Sequence, residues 1–327
     1  MTVDYQTPER VSFRLQHGLV AVLFFCLEGM ACSKKVVKTI KEQDKWKAGI
    51  PYRGNKRQKV NKILDLLPNG ERFIDAFGGG GCVSLHAATA TKFGTVVYNE
   101  LDSNIFQLFT EFAIKHNQID LKRFVVPNRE RFCIAKNREH KTLEDNVILT
   151  AWSFSNDRYT YLYGKKIAKA KEDVTRYLFE KVPNKSVKDT YAEYKSHIRQ
   201  ELQNAPGELQ QLERLEQLER LEQLERLQQL ERLEQLETVN GSYDELEIGQ
   251  DDIVYCDPPY MGTKGYEVEF DYQKFIDWYS HQCPAREIYI SEYTQLPNTV
   301  VVADLGNKHS LIATGKRRSE LLLKVVK

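Results

Sequence analysis

Six cysteines occur in the 327 residues, at 26, 32, 82, 133, 256 and 283, and they form no CxxC pair and no spacing with a histidine. That excludes a zinc ribbon or finger and predicts no metal; without a disulfide framework the chain reads as a reduced, cytosolic protein. Cys256 reads as a buried strand cysteine. Long hydrophobic runs are also missing. The most apolar stretch, residues 19–27 (LVAVLFFCL), is nine residues long, whereas a membrane-spanning helix needs about 20, so no membrane association is expected. With Arg10 and Arg14 before it and Ala31 after it, this run superficially resembles a secretory leader. A buried element, or an upstream extension with Met30 as the ordinary start, agrees better with the rest of the chain. No GxxxxGK[ST] loop is present, which argues against an NTPase. Excess charge of one sign is lacking too: the net charge is +1, which neither favours nor excludes a nucleic-acid partner.

What the chain does have is a large apolar inventory, 41% with 15 Phe and 17 Tyr, enough for one large domain or a core domain with an insert. Its charge is also unevenly placed. Residues 34–62 hold eleven Lys/Arg against Glu42 and Asp44, and residues 208–237 hold nine Glu against four Arg. Outside the acidic tract the chain is therefore basic, and its basic residues are clustered, as a phosphate-binding surface requires and as a solvated face also permits.

From Arg72 the pattern is strand, glycine turn, helix, strand: RFIDAF (72–77), GGGG (78–81), a helical stretch over 83–92, and GTVVYNE (94–100). Ser103 is placed as the cap of a following helix with Ile105, Phe106, Leu108, Phe109 and Phe112 inward. Strands resume at DIVYCD (252–257), EIYISEY (287–293) and TVVVADL (299–305), and the runs HSLIAT (309–314) and ELLLKVV (320–326) read as a terminal hairpin. The class is α/β, with a right-handed βαβ start and a core split by an insert of about 130 residues.

Inside the insert, leucine stands at every third position over residues 209–236, ten times without a miss. At about 100° per residue, successive leucines step backwards by about 60°, so the stripe circles the helix in about 18 residues and no flat partner buries all of it. The tract reads as a helical spacer with exposed leucines available for self-association.

The strongest chemical signal is Asp257-Pro258-Pro259-Tyr260 at the end of a strand. Ligands of open α/β sheets bind beyond the carboxyl ends of strands. Two prolines remove two N–H donors, which leaves acceptors suited to the two N–H groups of an amine on a flat ring. Tyr260 can stack on that ring. Alone, a Pro-Pro turn is a common loop device. Second is Phe77-Gly78-Gly79-Gly80-Gly81, where glycines admit a ligand to the backbone and the next helix offers N–H groups to an anion. Glu100, at the end of the second strand, stands where a carboxylate binds ribose hydroxyls, or where a strand-end acid is simply solvated. Third is Pro51-Tyr52-Arg53-Gly54-Asn55-Lys56-Arg57, by itself only a basic turn.

PYRGNK, DAFGGGG, NELD and YCDPPY, in that order, resemble the Dam-like (D12 class) family of N6-adenine-specific DNA methyltransferases. The resemblance covers roughly residues 46–165 and 238–327. It implies a Rossmann-like core with a mainly parallel sheet and a C-terminal antiparallel hairpin, S-adenosyl-L-methionine as cofactor, and double-stranded DNA as partner. It implies a core at 46–120 and 238–327 and a target-recognition insert at 121–205; the leucine spacer 206–237 and an N-terminal extension 1–45 lie outside the family pattern. Tyr52, Lys56, Asp75, Phe77, Gly78, Gly80, Glu100 and Asp257 would hold the cofactor; Asp257, Pro258, Pro259 and Tyr260 would form the catalytic loop. The family's leading aromatic-Ala-Gly-Gly-Lys stretch is altered here, with Trp46, Ala48 and Gly49 set apart from Gly54 and Lys56. A restriction-modification setting is typical of such enzymes. Methylation of an RNA or protein amine, or a silent DNA-binding protein, are the alternatives.

For DNA, Arg129, Arg131, Lys165 and Lys166 are candidates for phosphate contact, and Asn156 and Arg158 for base edges.

Overall fold

The computed structural model describes residues 49–181, 184–202, 211–212, 214–230, 233–261, 270–307 and 319–326. The extension 1–45, with its apolar run 19–27, lies outside them, as do Trp46, Ala48, Leu209 and the run 309–314.

Helix α1 (Val60–Leu66) buries Val60, Ile63 and Leu64 and stops at Leu67 (φ −79°, ψ 149°), because the residue before Pro68 is pushed to extended backbone. Strand β1 (Gly70–Asp75) leads through the glycine turn to helix α2 (Cys82–Thr89), and strand β2 (Phe93–Asn99) to helix α3 (Ser103–Phe109). The cap of α3 is Asp102 rather than Ser103: Asp102 is extended and accepts from Asn104 N, while Ser103 is already helical. A wide turn, Thr110–Ile114, prolongs α3. Helices α4 (Arg129–Asn137) and α5 (Leu143–Ala151) follow, the latter opened by a Thr142/Asp145 capping box. Then come α6 (Lys165–Lys181), α7 (Val187–Leu202), α8 (Glu216–Gln228), β3 (Leu236–Val239), β4 (Ile253–Cys256), α9 (Tyr272–Asp277), β5 (Glu287–Glu292), β6 (Thr299–Asn307) and β7 (Ser319–Val325).

The seven strands form one sheet in the order β3-β2-β1-β4-β5-β7-β6, parallel except for β7, which runs antiparallel to both its neighbours. Strands covered on both faces carry near-continuous apolar runs, as β4 does (IVYC). One face packs Ile74, Val254, Cys256, Ile288, Ile290 and Leu323 against Phe275, Trp278 and Tyr279 of α9 and the turn after it. The alternate residues, among them Phe73, Val96, Tyr98 and Tyr255, are equally buried on the other face. The chain runs from β1 outward to β3 and returns to β4 on β1's other side. That reversal opens a crevice at the carboxyl ends of β1 and β4.

Two expectations need correction. The antiparallel hairpin exists, and its described arms are β6 and β7, with β5 on the other edge of β7; the run 309–314 lies outside the described residues. The leucine tract, expected as a helical spacer with some exposed leucines, has none exposed in α8. Leu218, Leu221, Leu224 and Leu227 of α8 are fully buried, and Leu236 already belongs to β3. Four leucines drifting by about 60° per step sweep about half a turn, and α8 meets α5 and the turns Thr110–Ile114 and Leu121–Phe124 across that arc. Self-association through exposed leucines therefore has no basis in α8. Its polar residues are also engaged: Gln217 donates to Val125 O at 3.2 Å, Arg220 to Ala151 O at 3.0 Å, and Gln228 to Asn117 O at 2.6 Å.

The described residues also group by contact. Two compact units are found, one including Lys165–Leu215 and the other Lys38–Gly164 with Glu216–Lys327. Residues 121–164 and 216–237 thus belong to the unit that holds the sheet: α4, α5 and α8 bury Phe132, Val147, Leu149 and Leu221, and α5 packs on both α3 and α8. In the other unit, α6 and α7 bury Val174, Leu178, Tyr191, Tyr194 and Ile198.

Candidate active site

Strand β4 is buried over its whole length and ends where Pro258 and Pro259 withdraw the N–H groups a strand needs. Asp257 therefore projects from the carboxyl edge of the sheet. Its side chain is 19% exposed, and Lys56 Nζ lies 2.5 Å from its Oδ2. The same ammonium donates to Tyr260 Oη at 2.7 Å and stands 5.0 Å from the Tyr260 ring centroid. Burial pushes the Asp257 carboxyl above the usual carboxylate range, with the Lys56 charge opposing and Glu320 adding to the rise. Burial likewise raises the Tyr260 phenol, so it stays protonated.

The loop is held from below. Tyr272 donates to Pro259 O, and Glu292 accepts from Met261 N at 3.1 Å and from Tyr272 Oη at 3.3 Å. Tyr260 meets Tyr293 edge-on with centroids 4.5 Å apart. The result is an acceptor-rich loop walled by aromatic rings, which suits a planar amine.

One strand away, the glycine turn joins β1 to α2. Its tightness follows from packing within the chain. A Cβ on Gly78 would lie 2.3 Å from the Tyr98 ring, and one on Gly81 (φ +74°) 2.0 Å from Phe109. Tyr52 fills the corresponding space at Gly79 and Gly80. Side-chain space at these glycines thus belongs to the protein, and a ligand can meet only their backbone. Ile50 N donates to Gly80 O at 2.9 Å, tying the PYRGNK segment to the turn.

Glu100 accepts from Gly79 N at 2.7 Å and from Asp102 N at 2.8 Å, and burial pushes its carboxyl up to about 7. Asp75, at the end of β1, accepts from Ser84 Oγ at 2.6 Å and is also pushed up to about 7 by burial. Its Oδ1, like Asn99 Oδ1, is buried without a hydrogen-bond partner. Two unpaired buried acceptors and a strand-end carboxylate suit a ligand bearing hydroxyl and amino groups. Phe77 is half-buried against Tyr243, Phe270 and Phe275. Asp75, Asp257 and Glu100 follow the neighbouring strands β1, β4 and β2, with Asp75 in register with Tyr98 and Tyr255, so all three share one edge of the sheet.

The D12 class N6 adenine-specific DNA methyltransferase family matches the chain over residues 52–294. The chain belongs to this family. The match spans both the glycine turn and the Asp257 loop. Two solved structures of the rRNA methyltransferase aviRa from Streptomyces viridochromogenes are also similar. One (2.4 Å) has 10% identity and a TM-score of 0.34, the other (1.5 Å) 11% and 0.32; each match covers 90% of this chain and 96% of that chain. No curated protein matches the sequence.

The residues expected to meet DNA fare differently. Arg131 is exposed on α4, its guanidinium 5.4 Å from the Trp152 ring. Arg129 donates to Tyr163 O at 2.5 Å and lies 4.3 Å over the Tyr161 ring. Arg158 turns inward, donating to Thr150 Oγ1 at 2.9 Å and to Asn146 Oδ1 at 2.6 Å, so those donors serve α5 rather than a base edge. Asn156 buries Oδ1 without a partner. Ser155, Asn156 and Arg158 all have positive φ (52°, 58° and 64°), and the loop they form exposes Phe154 and Tyr159. Lys165 and Lys166 are exposed at the start of α6, in the other unit.

Sequence reasoning missed Glu320, Lys59, Glu292 and Tyr293. Glu320 on β7 accepts from Lys59 Nζ at 2.9 Å and lies 3.5 Å from Lys56 Nζ. The available signal was an acid at the head of the leucine-rich strand SELLLKV, and another, Glu292, at the end of EIYISE. A charged residue that a core strand buries must be paired there. Among the described residues no cluster of His, Cys, Asp or Glu could hold a metal ion, and no helix is long and apolar enough to cross a membrane. Among the described residues Cys82, Cys133, Cys256 and Cys283 form no disulfide.

Proposed function

We propose that this methyltransferase transfers a methyl group from S-adenosyl-L-methionine to the N6 amine of an adenine flipped out of double-stranded DNA, at a specific sequence in the cytoplasm. When bound, S-adenosyl-L-methionine supplies a methyl group activated by its positive sulfonium. Glu100 holds the ribose hydroxyls, Asp75 offers its unpaired Oδ1, and Tyr52, Phe77 and the backbone of Gly78 and Gly80 line the same edge. Asp257 and the Pro258 carbonyl accept the two N–H bonds of the adenine amine. That orientation draws the nitrogen lone pair out of ring conjugation and towards the methyl donor, and Tyr260 stacks on the base. The chain contributes position, not bond-making, and positioning alone can supply about 7–11 kcal/mol of rate acceleration. Extracting the base costs a few kcal/mol; Arg129, Arg131, Lys165 and Lys166 on phosphates, with the exposed Phe154 and Tyr159 against bases, offset it.

The observation that carries this reading is the Asp257 carboxylate at the carboxyl edge of β4, in a loop stripped of N–H donors and beside the Tyr260 ring. Genomic DNA from cells expressing the chain, sequenced for N6-methyladenine, tests it. A methylated motif present with the parent and absent with Asp257→Ala is expected, while purified Asp257→Ala still binds S-adenosyl-L-methionine. Unmethylated DNA from cells holding soluble, cofactor-binding parent protein overturns the DNA substrate. Near-normal turnover by Asp257→Ala overturns the role of the loop.

A further inference from the structure

The Glu320 side chain is 2% exposed, and its two carboxylate oxygens are treated differently. Oε2 accepts from Lys59 Nζ at 2.9 Å. Oε1 is buried without a hydrogen bond of ordinary geometry; the Lys56 ammonium is 3.5 Å away, and the Tyr260 hydroxyl also interacts with this carboxylate. That ammonium rests 2.5 Å from Asp257 Oδ2, an oxygen of the carboxylate to which the proposed function brings the target amine. An ammonium and an incoming amine compete for the same lone pairs. A buried ammonium displaced from this carboxylate with nothing in return would be strongly disfavoured.

We propose that Glu320 is a positioning residue: it gives the Lys56 ammonium a second seat, so that Lys56 passes from Asp257 to Glu320 as the target amine takes its place. The inference rests on the reading of Asp257 as the amine's acceptor. The move is short, since closing from 3.5 Å to an ordinary charged hydrogen bond of about 2.8 Å requires under about 1 Å. It exposes no new charge, because Lys56 and Lys59 balance Asp257 and Glu320 before and after. Lys59 fixes the far oxygen of Glu320 and so keeps Oε1 turned towards Lys56. Tyr260 Oη stays with the ammonium, to which it already serves as acceptor at 2.7 Å. Asp257, 19% exposed, is the seat a substrate can reach; Glu320, 2% exposed, is out of its reach.

Two measurements test this. The first is a crystal structure of the full-length Asp257→Asn variant, in which Lys56 Nζ is expected within about 3 Å of Glu320. An ammonium still on residue 257 and farther than 3.5 Å from Glu320 overturns the proposal. The second is steady-state methylation of adenine-containing duplex DNA by Glu320→Gln, run beside the parent. The expected result is at least a ten-fold loss of kcat with KM for S-adenosyl-L-methionine within two-fold, partial recovery in Glu320→Asp, and a double variant Lys56→Met, Glu320→Gln faster than Glu320→Gln alone. A merely structural role predicts no such reversal, and a double variant no faster than Glu320→Gln overturns the proposal. A parent that methylates no adenine counts against the functional reading instead, and the crystal structure then decides the second seat by itself.

Discussion

Asp75 and Glu100 are carboxylates that the sheet edge buries before any ligand arrives, and burial pushes both up to about 7. A group whose folded pKa is raised contributes stability that is fully present below its unfolded value, near 4, and is lost as pH rises through about 7. The apoprotein therefore carries a growing burden between those pH values. Asp75→Asn removes one titrating group and its pH dependence. Relative to the parent, the variant should gain thermal stability between pH 5 and pH 8, whatever its offset at either pH. Melting curves at the two pH values check this, and a difference that stays flat argues that Asp75 ionises freely in the folded state. The unpaired Oδ1 of Asp75 belongs to the same picture: a buried acceptor left empty costs stability.

Helix α8 shows how an element can look like one thing in sequence and become another in packing. A leucine at every third residue suits neither a coiled-coil seam nor an ordinary amphipathic stripe. Yet α8 spans only Glu216–Gln228, so its leucines cover about half the circumference and all four are buried. Leu221→Ala should therefore destabilise the protein by about 2–5 kcal/mol, measured by urea denaturation with the slope of the transition unchanged. An exposed spacer leucine would cost under about 0.5 kcal/mol, so a small effect would return the tract to solvent. Arg57 ties this helix to the segment before β1, donating to Gln223 Oε1 at 2.6 Å and to Gly49 O at 2.7 Å. The loop around Asn156 also reverses a local expectation. Its positive-φ residues hold Phe154 and Tyr159 outward while Arg158 is spent on α5.

At the scale of the whole molecule, one compact unit holds the sheet and the Asp257 loop, and the other presents Lys165 and Lys166 at the start of α6. If both lysines meet phosphates, changing them to Glu weakens DNA binding for all sequences alike. The slope of log affinity against log salt should fall in magnitude by roughly 0.9 for each phosphate no longer neutralised, with KM for S-adenosyl-L-methionine unchanged. Fluorescence anisotropy over a salt series reads this directly. An unchanged slope places the phosphate-binding residues elsewhere, with Arg131 on α4 the next variant to measure.

By itself the sequence determined the α/β class, the strands RFID, VVYN, IVYC and IYIS, the glycine turn, and the order of motifs that marks the family. Those signals depend on residues close together in the chain: apolar runs, breakers and prolines act over one or two turns of backbone. Partnership at long range was decided only by the tertiary structure. Strand β7 lies between β5 and β6, the leucines of α8 are buried, and Glu320 comes to rest beside Lys56 and Lys59. Which surfaces meet across a sheet depends on the volume and shape left by every other element. A leucine repeat or a lone acid in a strand reads the same from its neighbours whether it ends in solvent or in the core.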